Sequence, residues 1–224
     1  MLRFPDGRKE RGMAMVGRRG AVLGLAAGVA GLRLTRPVRA GAVPPAVPPE
    51  LFVAELAGRV MAALRDPTLD DRQRLVRVDA LTAGAFDLDR TARIALGRYW
   101  RTAPEAQRDE FAALFKEYVL TSYGRRFHQF ADRTFKVIGT APAGDDTVVA
   151  SLVEGGSTPI RLDWRLATTS GGWRVLDLMV EGVSLLVTFR NEFAAVIERH
   201  GGQLGGLLAE LRERVAAERA QLAG

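Results

Sequence analysis

Two histidines, one acidic residue set in an apolar strand and one serine after a glycine turn are the residues of this 224-residue chain whose types and places could do chemistry. His128 and His200 lie in different segments with no second ligand three or four residues away, a spacing that argues against a zinc or iron site. No cysteine occurs, which removes a disulfide framework, a thiolate metal site and a cysteine nucleophile. Gly182-Val183-Ser184-Leu185-Leu186 lacks the second glycine of a nucleophile elbow and follows a strand of an expected antiparallel meander. A triad of Ser184, a histidine and Asp177 therefore has little behind it. The pairs Gly201-Gly202 and Gly205-Gly206 lack the Lys-Ser/Thr ending of a phosphate loop.

Asp177 has two readings. It interrupts the otherwise apolar stretch Val175 to Val180, and if it points into an apolar chamber it acts as a base or carries a raised pKa. Paired instead with Arg161, Arg174 or Arg190, it fixes the last strand to its neighbours. No second polar catalytic group stands nearby in sequence, which favours the structural role.

The elements that must position these residues follow from periodicity. Phe52, Leu56, Val60 and Leu64 recur every fourth position and predict a helix over 51–64, stopped by Asp66-Pro67. Asp70 and Asp71 open a second helix with Leu75, Val78 and Leu81 or Thr82 inward, and a third runs from about Asp87 to Leu96 before Gly97. Thr102-Ala103-Pro104-Glu105 reads as a capping box opening a fourth helix, with Phe111, Leu114, Phe115, Tyr118 and Val119 on one side and Gly124 as its stop. After Phe127 the period drops to two. Strands are expected at Phe135 to Val137, Thr147 to Val153, Ile160 to Leu166 and Trp173 to Val180, followed by helices at about 184–199 and 203–220. This order predicts one α+β domain: a four-stranded, twisted antiparallel sheet wrapped by about six helices and enclosing an apolar cone.

The start of the chain reads differently. Residues 1–42 form a leader: a basic stretch (Arg8, Lys9, Arg11, Arg18, Arg19), an apolar run of about fifteen residues from Gly20 to Leu34, and small residues offering cleavage after Ala40 or Ala42. At ~1.5 Å rise per residue that run is too short for a bilayer core of ~30 Å. Arg18-Arg19 directly before it reads as a twin-arginine signal, with an ordinary Sec leader as the alternative, and Met13 and Met15 also serve as starts. Residues 43–50 form a Pro-rich tether and 51–220 the folded domain. Nine of the 32 basic and two of the 26 acidic residues precede Val43, leaving 23 against 24. The basic character thus belongs to the leader, and nucleic-acid binding loses its support. The remaining ~180 residues suffice for a core without staples.

These segments also carry a family resemblance. Phe86-Asp87-Leu88 with Ala92-Arg93, Leu96-Gly97-Arg98-Tyr99-Trp100, and Ala103-Pro104-Glu105 with Gln107-Arg108 and Phe111 to Phe115 resemble the toluene-tolerance, or MlaC, family of periplasmic phospholipid-binding proteins. Pro159-Ile160 to Arg165-Leu166, Gly172-Trp173-Arg174-Val175 with Asp177, Glu181-Gly182-Val183-Ser184-Leu185 and Arg190-Asn191-Glu192-Phe193 continue it in the same order, from about Leu51 to Arg212. Trp164 stands where the family usually has tyrosine, and Leu176 where an aromatic is frequent. The resemblance implies a cone of the nuclear-transport-factor-two-like type, no enzyme activity, no cofactor, and glycerophospholipid as cargo. It implies a periplasmic shuttle between an outer-membrane lipoprotein complex and an inner-membrane complex of an MCE-domain protein and an ABC transporter, serving lipid asymmetry and solvent tolerance. A hopanoid or other isoprenoid lipid is the alternative cargo, and an enzyme using Asp177 as base the alternative of another class.

A lipid carrier needs deep apolar walls rather than a reactive group. Burying a methylene is worth ~0.8 kcal/mol, so two sixteen-carbon chains represent about 25 kcal/mol that must be matched before a lipid leaves a bilayer. The candidate walls on the helices are Ile94, Phe115, Tyr118, Val119, Phe127 and Phe189. Those on the strands and their connections are Leu162, Trp164, Leu166, Trp173, Val175 and Val183.

Overall fold

Proline in a first turn, where a missing N–H is not needed, opens the first helix, α1 (Pro49–Arg65), two residues inside the expected tether. The computed structural model describes residues 47–127 and 132–223. The leader, the tether as far as Ala46 and His128 lie outside the described residues. Next, α2 (Asp71–Thr82) starts on a reciprocal capping box: the Asp70 carboxylate accepts from Gln73 N at 2.8 Å, and Gln73 Oε1 accepts from Asp70 N at 2.9 Å. In α3 (Leu88–Leu96) Asp87 caps the N-terminus and Gly97, at φ 59°, ends the helix. A short α4 (Arg98–Thr102), not expected from periodicity, precedes α5 (Glu105–Phe127). Thr102 does not cap α5. Its hydroxyl donates to Tyr99 O at 3.3 Å inside α4, and α5 runs three residues past Gly124.

The strands β1 (Thr134–Ala143), β2 (Asp146–Glu154), β3 (Ile160–Thr169) and β4 (Gly172–Val180) form the expected antiparallel meander, and the two-residue β5 (Val183–Ser184) adds a fifth. They lie in sequence order across one open sheet. Its free edge, β1, has an irregular register between Val137 and Gly139. At the other edge Phe86 bridges to Val175, with Asp87 N and Val175 N bonding across.

Two helices close the chain, α6 (Leu185–Arg199) and α7 (Leu204–Ala223). The turn between them holds Gly201 and Gly202 at φ 67° and 82°, so that Gly202 N reaches Ile197 O at 2.9 Å. Beside this turn Glu210 meets Arg199, His200 and Arg214 at 3.1 to 3.2 Å. The His200 hydrogen bond, helped by both arginines, holds the Glu210 carboxyl below its usual range. The helices α3, α5, α6 and α7 enclose an aromatic core. Phe111 stacks on Phe115 at 5.8 Å, Phe193 meets Phe111 edge-on at 5.5 Å, and Phe189 meets Phe115 edge-on at 5.4 Å.

Candidate functional site

Strand register sorts the sheet into two chemically different faces. On the front, successive rows across the strands read Phe135, Val153 and Ile160; then Val137, Ser151, Leu162 and Val180; then Val149, Trp164 and Leu178; then Leu166 and Val175. The back carries Asp146, Asp163 and Asp177, each buried, with Arg165 on Asp146 at 2.7 Å and Arg161 on Asp163 at 3.0 Å. Apolar residues run unbroken by charge on the front, whereas on the back Val148, Leu152 and Met179 stand among these charged pairs.

Helix α1 crosses that front as a diagonal strap. Near its start the Trp173 indole N–H donates to Val47 O at 2.8 Å, beside the first residues of β4. At its far end the Arg65 guanidinium donates to Arg133 O at 2.6 Å, just before β1. Val53 and Leu56 press onto Val149, Trp164, Leu166 and Val175 in one cluster. The strap leaves two corners. One is polar or small: Thr140, Pro142 and Thr147 at the end of β1 and start of β2. The other is apolar and only part-buried, built from Ile160, Leu162, Leu178 and Val180. Among the described residues of this face, the second corner is the one with part-buried apolar wall clear of the strap.

Trp164 stands between the buried and part-buried regions, 7% exposed. Its indole N–H donates to Ser151 Oγ at 3.1 Å, Ser151 Oγ donates to Leu162 O at 2.6 Å, and Phe135 meets the indole edge-on at 6.0 Å.

The sequence-predicted wall residues divide between two clusters. Leu162, Trp164, Leu166, Trp173 and Val175 gather on the front of the sheet. Phe115, Tyr118, Val119 and Phe189 gather in the helical core, where they pack on one another and on Phe111 and Phe193. Ile94 and Val183 lie at the surface, 36% and 48% exposed, and join neither. Phe127 ends α5, and its side chain lies outside the described residues. Periodicity missed Val53, because the fourfold stripe centred on Phe52 is turned relative to the face that packs. It missed Val149 and Ser151 because β2 reads Thr-Val-Val-Ala-Ser-Leu-Val, apolar on both faces, and only the register against β3 separates them.

Asp177 takes the structural role, with other partners than the arginines expected. Its carboxylate accepts from Ser184 Oγ at 2.5 Å and from Leu186 N at 3.0 Å, and Ser184 Oγ in turn accepts from Val187 N at 3.0 Å. A strand residue thus supplies a second cap to α6, where unpaired N–H groups and the helix dipole favour a negative charge. Arg161 serves Asp163, Arg174 bonds Gly171 O and Trp173 O, and Arg190 packs over Gly97. Ser184 and His200, which a triad with Asp177 would use, cap opposite ends of α6, about 24 Å apart at 1.5 Å per residue. Among the described residues no group of three or more His, Cys, Asp or Glu could hold a metal ion. No described helix is long and apolar enough to cross a membrane.

The phospholipid-binding protein from Ralstonia solanacearum, solved in complex with a phospholipid, superposes with a TM-score of 0.69 at 31% identity, covering 78% of this chain and 98% of that one. The intermembrane phospholipid transport system binding protein MlaC of Haemophilus influenzae is 25% identical over 112 residues. That match takes in 47% of this chain and 52% of the relative, so the chain spans about half the length of the curated relative that it matches. The family model described as MlaC protein matches residues 54–213, from α1 through most of α7, and on that match the chain belongs to the MlaC family.

Proposed function

We propose that this protein is a non-catalytic carrier of glycerophospholipid, which takes acyl chains against the apolar corner of its sheet and acts in the periplasm. The observation that carries the reading is the likeness to a lipid-bound relative over 98% of that relative's length, together with a front face that stays apolar where α1 leaves it part-buried. The leader with Arg18-Arg19 supports export. Docking to an inner-membrane MCE-domain and ABC-transporter complex and to an outer-membrane lipoprotein complex follows from the family resemblance. The near-neutral charge after Val43 suits brief encounters with both.

Native mass spectrometry of protein recovered from the periplasm, followed by lipid extraction, tests the reading. Bound diacyl phospholipid is the expected result. A hopanoid or other isoprenoid in its place overturns the cargo, and empty protein that takes nothing from vesicles overturns carriage. Replacing Arg18 and Arg19 together by lysine tests the export route: precursor held in the cytoplasm supports the twin-arginine signal, and normal export returns the leader to the Sec class.

A further inference from the structure

We propose that Trp164, locked by Ser151, is the stop that limits how far an acyl chain runs along the front of the sheet, and so sets the acyl length this protein prefers. The inference rests on the phospholipid reading above and specifies that same site.

Burial changes abruptly along the front face. Beyond Trp164, Leu166 and Val175 are fully buried under Val53 and Leu56 of α1, as is Val149 beside it in the same row. Before it, Ile160, Leu162 and Val180 are part-buried. A chain entering from the apolar corner therefore meets open wall first, then the indole, and behind the indole a closed core with no face to offer. The position of the ring decides the length of the path.

Ser151 makes that position fixed. It is 0% exposed, and among the described residues it is the polar side chain fully buried on the front face. Packing alone would be served as well by alanine or valine in this row. The hydroxyl instead holds the indole N–H at 3.1 Å and spends its own proton on Leu162 O at 2.6 Å, so neither group is left unpaired in an apolar setting. Phe135 closes the remaining side edge-on. A ring gripped by a hydrogen bond and an aromatic edge keeps one rotamer when a flexible chain presses on it. A leucine or methionine there would yield.

The test loads delipidated protein, purified after expression of the full chain, from vesicles of equimolar dimyristoyl-, dipalmitoyl- and distearoyl-phosphatidylglycerol. Bound lipid is identified by mass spectrometry for wild type, Ser151→Ala, Trp164→Phe and Trp164→Ala, with melting curves to establish folding. Trp164→Ala should raise the distearoyl-to-dimyristoyl ratio about tenfold, the factor supplied by roughly two further buried methylenes. Ser151→Ala should raise it less, because the ring is freed but remains. An unchanged ratio in folded Trp164→Ala overturns the stop while leaving carriage standing. Wild-type protein that loads no lipid overturns carriage itself. If Trp164→Ala does not fold, Trp164→Phe decides: a smaller rise supports the stop, and an unchanged ratio overturns it.

Discussion

Replacing Asp177 by asparagine keeps the shape of the side chain and removes the charge that Ser184 Oγ and Leu186 N share. The amide can accept only through one oxygen, and its NH2 cannot accept from the serine hydroxyl, so the start of α6 loses a buried, charge-assisted bond. We expect a loss of about 1–3 kcal/mol in urea unfolding, with native-like circular dichroism. Unchanged stability would return Asp177 to the catalytic reading. The importance of this residue was legible in the sequence, because an acid inside an apolar strand needs a reason. Its partner was not: the N–H of Leu186 belongs to the backbone, and a reading of residue types sees side chains alone. Ser151 was hidden for a different reason, since a serine in a mostly apolar strand looks incidental until register sets it beside the Trp164 indole.

At the scale of elements, the first turn of α7 offers a controlled comparison. An added Cβ at Gly205 meets nothing within 4 Å, whereas one at Gly206 falls 2.2 Å from His200 Cγ. Gly205→Ala should therefore stabilise by about 0.4–1 kcal/mol through the unfolded chain, and Gly206→Ala should destabilise by 1 kcal/mol or more despite the same gain in helix propensity. Thermal melts of both variants check the sign. The neighbouring Glu210 cluster predicts a pH dependence. Glu210 titrates below its usual value near 4.5 when folded, so its contribution is complete above that value and fades as pH falls through the folded pKa. Being part-exposed, the cluster contributes at most about 1 kcal/mol. Glu210→Gln should lower stability by that order at pH 7, and the gap should narrow as pH falls below about 4.5, as pH-dependent urea midpoints will reveal. Helix starts marked by Asp70, Asp87 and Ser184 were readable because caps are local chemistry. The Thr102 cap failed because its hydroxyl is taken by the unforeseen α4.

For the whole molecule, cargo and stability should be linked. If lipid binds the folded protein alone, stripping it removes about 2.7 kcal/mol at a hundredfold excess over Kd, or roughly 5 to 10 °C in Tm for a chain of this size. Differential scanning calorimetry before and after delipidation, and again after reloading from vesicles, measures the difference; equal melting temperatures would count against tight carriage. Apart from the short α4 and β5, element order and the antiparallel meander could be read from periodicity, since both depend on local alternation. The diagonal course of α1 could not. It is set by two hydrogen bonds to backbone carbonyls, Trp173 to Val47 and Arg65 to Arg133, which join residues 126 and 68 positions apart.

The free edge of the sheet has a consequence for the protein in concentrated solution. Among the described strands β1 has a neighbour on one side alone, so one row of its backbone groups faces away from the sheet, an invitation to a strand from another molecule. Lys136, the slip in register between Val137 and Gly139, and Pro142 near its end break that row into pieces too short and too charged for a regular ladder. Crowded copies then find on this strand a poor template for edge-to-edge pairing.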